Sequence, residues 1–295
     1  MTGRHPILRR IVQLAALGFF LIVGLASYGY LKNEGFALLG GDAVAVVTVE
    51  GIIEGSRETV RSLDRAAKNP GIRAVVLRVD SPGGGVAASQ EIYGAVLRVR
   101  ARKPIVASLG AIAASGGYYV ASPCDAIVAD AGTLTGSIGV LLQMGNLSEL
   151  LKKIGIEGVT LKAGKYKDIG SPLRPMTEEE RRLFEELLEN VHGQFVTAVA
   201  EGRKLPVDQV RRIADGRVYS GEQARDLHLV DQLGGLRDAV HLAAQRAGIS
   251  GEPRWIEVEQ RRSPWWWRRV TGLVPGGAAG FGGLQYLYAG PSPAG

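Results

Sequence analysis

The chain has 295 residues, 46% of them hydrophobic and 22% charged. That is enough apolar material to bury a sizeable core, which excludes an intrinsically disordered protein. The net charge of +6 does not indicate nucleic acid, because Lys and Arg outnumber Asp and Glu by 4 to 0 in residues 1–32 and again in 261–295, while 33–260 carries 27 against 29. A nucleic-acid binder needs its excess on the folded body, where it meets phosphates; a terminal excess favours membrane surfaces, and no nucleic-acid partner is expected.

The first element is the uncharged run 11–30, with Leu14, Leu17, Phe19, Phe20, Leu21, Ile22, Val23 and Leu25. At about 1.5 Å per residue it reaches across a hydrocarbon core of roughly 30 Å. Arg4, Arg9 and Arg10 precede it and only Lys32 follows closely, so the positive-inside rule puts the N-terminus in the cytoplasm. Residues 1–10 then form a cytoplasmic tail, 11–31 a transmembrane anchor and 32–42 a linker. Everything beyond lies on the extracytoplasmic, or periplasmic, side of the cell membrane. A signal peptide cleaved near Ala26 is the alternative, although the run exceeds the ~7–15-residue apolar core of such signals.

Beyond the linker, residues 43–49 are a β-branched run that reads as a buried strand. A helix over 59–69 stops at Asn69-Pro70-Gly71. A second strand over 74–79 runs into Asp80-Ser81-Pro82-Gly83-Gly84-Gly85, read as a glycine loop, and a helix follows over 87–101. Residues 105–109 form a third strand leading to A-I-A-A-S-G-G at 111–117, with a helix over 116–122; a fourth strand over 126–129 leads to T-L-T-G-S-I-G at 133–139. Strands alternating with helices make this an α/β fold with a largely parallel sheet, whose chemistry gathers at the carboxyl ends of the strands. Both glycine-rich turns lie at such ends.

The second half is more helical. Thr177 and Glu180 form a capping box, and Leu183, Phe184, Leu187, Leu188, Val191 and Phe195 mark the apolar face of a long helix. Shorter helices are expected over 207–214, 221–227 and 236–247. The tail carries Arg261, Arg262, Trp265, Trp266, Trp267, Arg268 and Arg269, a composition suited to the membrane interface and its anionic lipids. A disordered tail and a subunit contact are the other readings. Cys124 is the single cysteine, so no intrachain disulfide forms and no thiolate cluster holds a metal; it reads as a small buried residue at a strand entrance. His5, His192, His228 and His241 lack metal-ligand spacing, and no cofactor is expected.

The triple glycine lacks the G-K-[ST] of a phosphate loop and does not make G-x-G-x-x-G. It leaves backbone N–H groups able to hold an oxyanion. With the N–H of Gly116 they would give two donors beside the Ser115 hydroxyl, a constellation for acyl transfer. A plain helix cap is the other reading of Ser115. Since the histidines are poorly placed, the base for a serine nucleophile would be a lysine, kept neutral by burial. Lys162, Lys165 and Lys167 are the candidates.

D-S-P-G-G-G-V at 80–86, A-A-S-G-G-Y-Y-V-A at 113–121, T-G-S-I-G-V at 135–140 and G-K-Y-K-D-I-G-S-P at 164–172 resemble the signature blocks of the signal peptide peptidase A family. A-D-G-R-V-Y-S-G-E-Q-A at 214–224 and L-V-D-Q-L-G-G at 229–235 do so as well. The resemblance covers residues 43–250, leaves 251–295 as a tail, and matches the family's shorter, single-domain form. It implies a ClpP/crotonase-like fold of repeated ββα units and a membrane-anchored serine endopeptidase that degrades remnant signal peptides and other apolar peptides. In that reading Ser115 is the nucleophile, Lys167 the general base, Ser137 the group that orients the lysine, and Gly84 and Gly116 the oxyanion donors, while Lys165 stays solvated. A ring-like homo-oligomer is also implied, in which one subunit's lysine approaches a neighbour's serine. Two positions depart from the family pattern: Asp80 stands where asparagine is common, and His228 where glycine is common. An acyl-CoA thioester enzyme of the same fold and an inactive membrane scaffold are the rival functions; Lys167 has no use in the first, and the intact serines and lysine argue against the second.

Overall fold

The computed structural model describes residues 17–21, 23–24, 42–258 and 285–287. Most of the expected anchor lies outside the described residues, and its described part is helical. Among the described residues no helix is long and apolar enough to cross a membrane. The Trp/Arg segment of the tail also lies outside them.

The body is a mixed α/β arrangement that fits a ClpP/crotonase-like fold. In chain order it runs β1 (Ala43–Glu50), α1 (Arg57–Lys68), β2 (Ile72–Ser81), β3 (Gly83–Gly85), α2 (Val86–Arg100), β4 (Ile105–Ala114), α3 (Gly116–Ala121), β5 (Ala126–Ala129) and β6 (Leu134–Gly136). Then follow α4 (Ser148–Lys153), α5 (Glu178–Arg203), α6 (Val207–Ile213), β7 (Val218–Ser220), α7 (Gly221–Asp226), β8 (Gln232–Leu233), α8 (Leu236–Arg246), β9 (Arg254–Glu257) and β10 (Gln285–Leu287). The main sheet has the order β7-β6-β4-β2-β1-β9, with β5 beside β4 and β8. Its pairings are parallel except that between β6 and β7.

Strand alternation explains why these segments are almost continuously apolar. Ala45, Val47 and Val49 of β1 pack with Leu63 of α1 and with Ile92 and Val96 of α2. Their neighbours Val44 and Val46 face the other way, onto Ala239, Val240 and Ala243 of α8. Successive side chains of a strand point to opposite faces, so a sheet covered on both sides needs apolar residues at every position. Each fully buried Val, Leu or Ile contributes about 1.5–3 kcal/mol.

Three features depart from the sequence expectation. First, β4 does not end at Leu109 but continues to Ala114, with Ile112, Ala113 and Ala114 pairing onto β6. The extension is possible because Asp80 lies over Gly110, where a Cβ would come within 2.7 Å of the Asp80 carboxyl carbon. The Asp80 carboxylate also accepts the Ile112 N–H at 3.1 Å. Second, the triple glycine is a short strand rather than a loop: Ile53 donates its N–H to the Gly83 carbonyl oxygen at 2.8 Å and accepts that of Gly85 at 2.9 Å, while β10 pairs antiparallel with the other edge. Third, the sheet runs on past residue 250 through β9, which pairs in parallel with β1.

Cys124 is buried just before β5, as its position suggests. The segment 141–179 is unlike the rest, for it contains no buried residue. It stands on the body without a core of its own.

Candidate active site

Strand β4 delivers Ser115 to the N-terminal end of α3. Ser115 has φ 53° and ψ −119°, a conformation that costs a non-glycine residue about 1–3 kcal/mol and needs surroundings that hold it. Those surroundings are specific. The Ser115 N–H donates to the Gly136 carbonyl oxygen at 2.8 Å, and its carbonyl oxygen accepts from the Tyr119 N–H at 2.8 Å. One turn into α3, the fully buried Tyr118 hydroxyl donates to the Leu229 carbonyl oxygen at 2.8 Å. Burial pushes that phenol well above its ordinary range, so it stays a neutral donor.

Glycines let this turn sit close to its neighbours. A Cβ at Gly117 would lie 2.6 Å from the Ser81 carbonyl oxygen, and one at Gly84 would lie 2.3 Å from that of Ile53. Both glycines are therefore demanded by main chain crossing main chain. Ser81 braces the same corner: its hydroxyl donates to the Gly51 carbonyl oxygen at 2.6 Å and accepts the Gly83 N–H at 3.1 Å.

Ser115 occupies the cap position of α3, yet its hydroxyl makes no cap hydrogen bond. The helix-cap reading of this serine is thereby removed. Its side chain is almost fully buried and has no hydrogen-bond partner among the described residues. The Gly116 N–H opens α3, where the first N–H groups lack intrahelical acceptors.

Ser137 shares the geometry, with φ 49°. It lies on the turn after β6, its N–H donating to the Arg217 carbonyl oxygen at 2.8 Å. Thr135, two residues earlier, ties β6 to β4 by donating its hydroxyl to the Ala113 carbonyl oxygen at 2.7 Å. Fold and hydrogen bonds thus bring Ser115, Ser137 and the glycine strand into one corner of the molecule.

The lysine segment behaves differently. Lys167 is exposed, contrary to the expectation of burial, in a segment, 141–179, of which no residue is fully buried in the single chain. Among the described residues its ammonium has no ion pair, and neither Ser115 nor Ser137 hydrogen-bonds it. Its two rivals are committed elsewhere. Lys162 pairs with Asp168, and Lys165 pairs with Glu179 at 2.6 Å; the Glu179 hydrogen bond raises the Lys165 ammonium above its ordinary range. Lys165 is exposed as expected, but it is ion-paired rather than simply solvated.

Sequence reading missed the acid–base framework of this segment. Arg174 bridges Asp168 at 2.8 Å and Glu180, and the Tyr166 hydroxyl donates to Glu179. Thr177 and Glu180 do form the expected capping box, but nothing in their spacing announces that Glu180 also receives a guanidinium. The alternation of basic and acidic residues from 162 to 180 was the available signal.

Among the described residues no His, Cys, Asp and Glu cluster could hold a metal ion. His228 has φ 59°, the left-handed region in which glycine is unstrained and a side chain is penalised; nothing in the structure explains the histidine.

The model of peptidase family S49 matches residues 98–250. The putative protease slr0021 of Synechocystis is 42% identical over 222 residues, covering 75% of this chain and 79% of that protein. The putative protease MJ0651 of Methanocaldococcus jannaschii is 38% identical over 242 residues, covering 77% and 78%. The chloroplastic serine protease SPPA of Arabidopsis thaliana is 36% identical over 258 residues, which cover 81% of this chain but 38% of that protein. The chain belongs to peptidase family S49, that of the signal peptide peptidase A proteins, and is a serine peptidase.

Proposed function

We propose that the protein is a membrane-anchored serine endopeptidase using a Ser115–Lys167 dyad, held by residues 11–31 with its catalytic body on the extracytoplasmic side. The observation that carries the reading is the Ser115 hydroxyl, fixed in a strained turn and without a hydrogen-bond partner among the described residues. Lys167 takes the proton as Ser115 attacks the scissile carbonyl carbon; the amine nitrogen leaves with that proton, and an acyl-enzyme remains. Water activated by the same lysine then hydrolyses the ester. Gly84 and Gly116 N–H groups stabilise the oxyanion, and Ser137 orients the lysine. Pairing of β10 on the glycine strand supports binding of substrate as an added strand there. Remnant signal peptides, extended and apolar, suit such an edge.

The dyad is completed between copies of the chain in a ring. Among the described residues Lys167 has no ion pair, in a segment with no buried residue, and that segment exposes Leu150, Ile154, Ile156, Val159 and Leu161, an apolar surface of the kind that marks an interface. Peptide cleavage should vanish in Ser115→Ala and in Lys167→Ala taken singly. Mixing the two inactive variants should restore part of it, since some interfaces then combine an intact serine with an intact lysine. Full activity in Ser115→Ala would refute the enzyme assignment; no recovery on mixing would refute the shared dyad.

A further inference from the structure

Arg174 has no part in the steps above, yet it organises the segment that carries Lys167. Its Nε donates to Asp168 Oδ2 at 2.8 Å. One terminal nitrogen donates to Glu180 Oε2 at 2.8 Å and to the Pro175 carbonyl oxygen at 3.1 Å. The other reaches Glu180 Oε1 and, at 3.3 Å, the Asp168 carbonyl oxygen. Glu180 is itself fixed, being buried and accepting the Thr177 N–H at 2.9 Å. Arg174 thus ties the residue after Lys167 to the first turn of the 26-residue helix α5.

The charged residues near Lys167 in sequence are Lys162, Lys165, Asp168 and Arg174, with Tyr166 beside them; α5 supplies Glu179 and Glu180 to the pairs they make. Glu179 is occupied by Lys165 and Tyr166, and Glu180 by Arg174. Asp168, the acid adjacent in sequence to Lys167, is held by Arg174 and Lys162 together.

We propose that Arg174 is a positioning residue for the peptidase reaction: it fixes the 162–174 segment against α5 and keeps the Asp168 carboxylate from pairing with Lys167. The proposal rests on the Ser115–Lys167 reading. Without Arg174 the Asp168 carboxylate keeps only Lys162 of its two partners and is free to turn toward the neighbouring lysine; a carboxylate there favours the ammonium, which cannot accept the serine proton. Loss of Arg174 therefore moves the acid limb of the pH–rate profile to higher pH, whereas a merely structural tie would lower the rate at every pH with the limb in place.

The test is the pH dependence of peptide cleavage by the full chain. Arg174→Met should lose on the order of tenfold or more in kcat at neutral pH, with its acid limb raised by about one unit. Arg174→Met with Asp168→Asn should return the limb to its original place. Asp168→Asn alone should leave it there, because the charge is already engaged. A limb unmoved in Arg174→Met, still displaced in the double variant, or lowered by a unit in Asp168→Asn overturns the proposal; the last measurement decides it even if Arg174→Met does not fold. Lys167→Ala, run alongside, separates the two readings. Activity surviving in that variant overturns the lysine assignment and this proposal with it, whereas an inactive Lys167→Ala beside an unmoved limb overturns the role of Arg174 alone.

Discussion

The Ser115 N–H donates to the Gly136 carbonyl oxygen at 2.8 Å, so the turn that presents Ser115 and the turn that presents Ser137 are locked to each other. Both serines have positive φ. Two strained residues that brace one another make a preorganised corner, and the strain is held by packing around it rather than by the residues themselves.

That packing can be tested at Gly117. An added methyl would lie 2.6 Å from the Ser81 carbonyl oxygen, forcing α3 away from β2 and dragging Ser115 with it. Gly117→Ala should cost about 1–3 kcal/mol in chemical denaturation and lose most peptide cleavage. Unchanged stability would mean that the close approach is relieved without consequence.

Asp80 and Ile112 give a second test. The Asp80 carboxylate accepts the Ile112 N–H at 3.1 Å, holding β4 to β2 where their register shifts between Leu109 and Ala113 on the way to Ser115. Asp80→Asn retains a carbonyl acceptor and should cost less than about 1 kcal/mol, while Asp80→Ala leaves the N–H without this partner and should cost about 1–3 kcal/mol. Urea midpoints of the two variants measured together decide it; equal losses would count against the hydrogen bond.

His228 is held at φ 59°, where a side chain is penalised and glycine is not. Its backbone bonds, the N–H to the Arg225 carbonyl oxygen at 2.9 Å among them, survive substitution. After the entropic cost of glycine, His228→Gly should stabilise by about 0.5–1 kcal/mol, visible as a higher melting temperature with cleavage unchanged. A lower melting temperature would show that the imidazole itself stabilises the fold.

Acid should loosen the lysine segment. Hydrogen bonds from Arg174, then Lys162, hold the Asp168 carboxyl well below its ordinary range, and Arg174 does the same for Glu180. Groups depressed on folding stabilise above their unfolded pKa and lose that contribution as pH falls through the folded one. Hydrogen-exchange protection over 160–180 should hold at neutral pH and fall below about pH 4, the ordinary carboxylate range. Protection rising on acidification would contradict the ion-pair account.

The alternation of strands and helices was legible in the residues alone, because apolar period and glycine punctuation are local signals. Strand β5 and the starts of α3 and α5 fall where the residues placed them. Ser115 stood out in the same way by its glycine-rich turn, whereas Lys167 was separated from Lys162 and Lys165, and Ser137 named, only through the resemblance of short motifs to a family. Features that depend on partners distant in the chain emerge from the folded arrangement. Gly83–Gly85 is a strand because Ile53 and β10 supply its hydrogen bonds, and β4 reaches Ala114 because β6 pairs with it. The exposure of Lys167 and the role of Arg174 were equally invisible: burial and ion pairing are properties of what stands opposite, and a residue's neighbours in sequence do not name its neighbours in space.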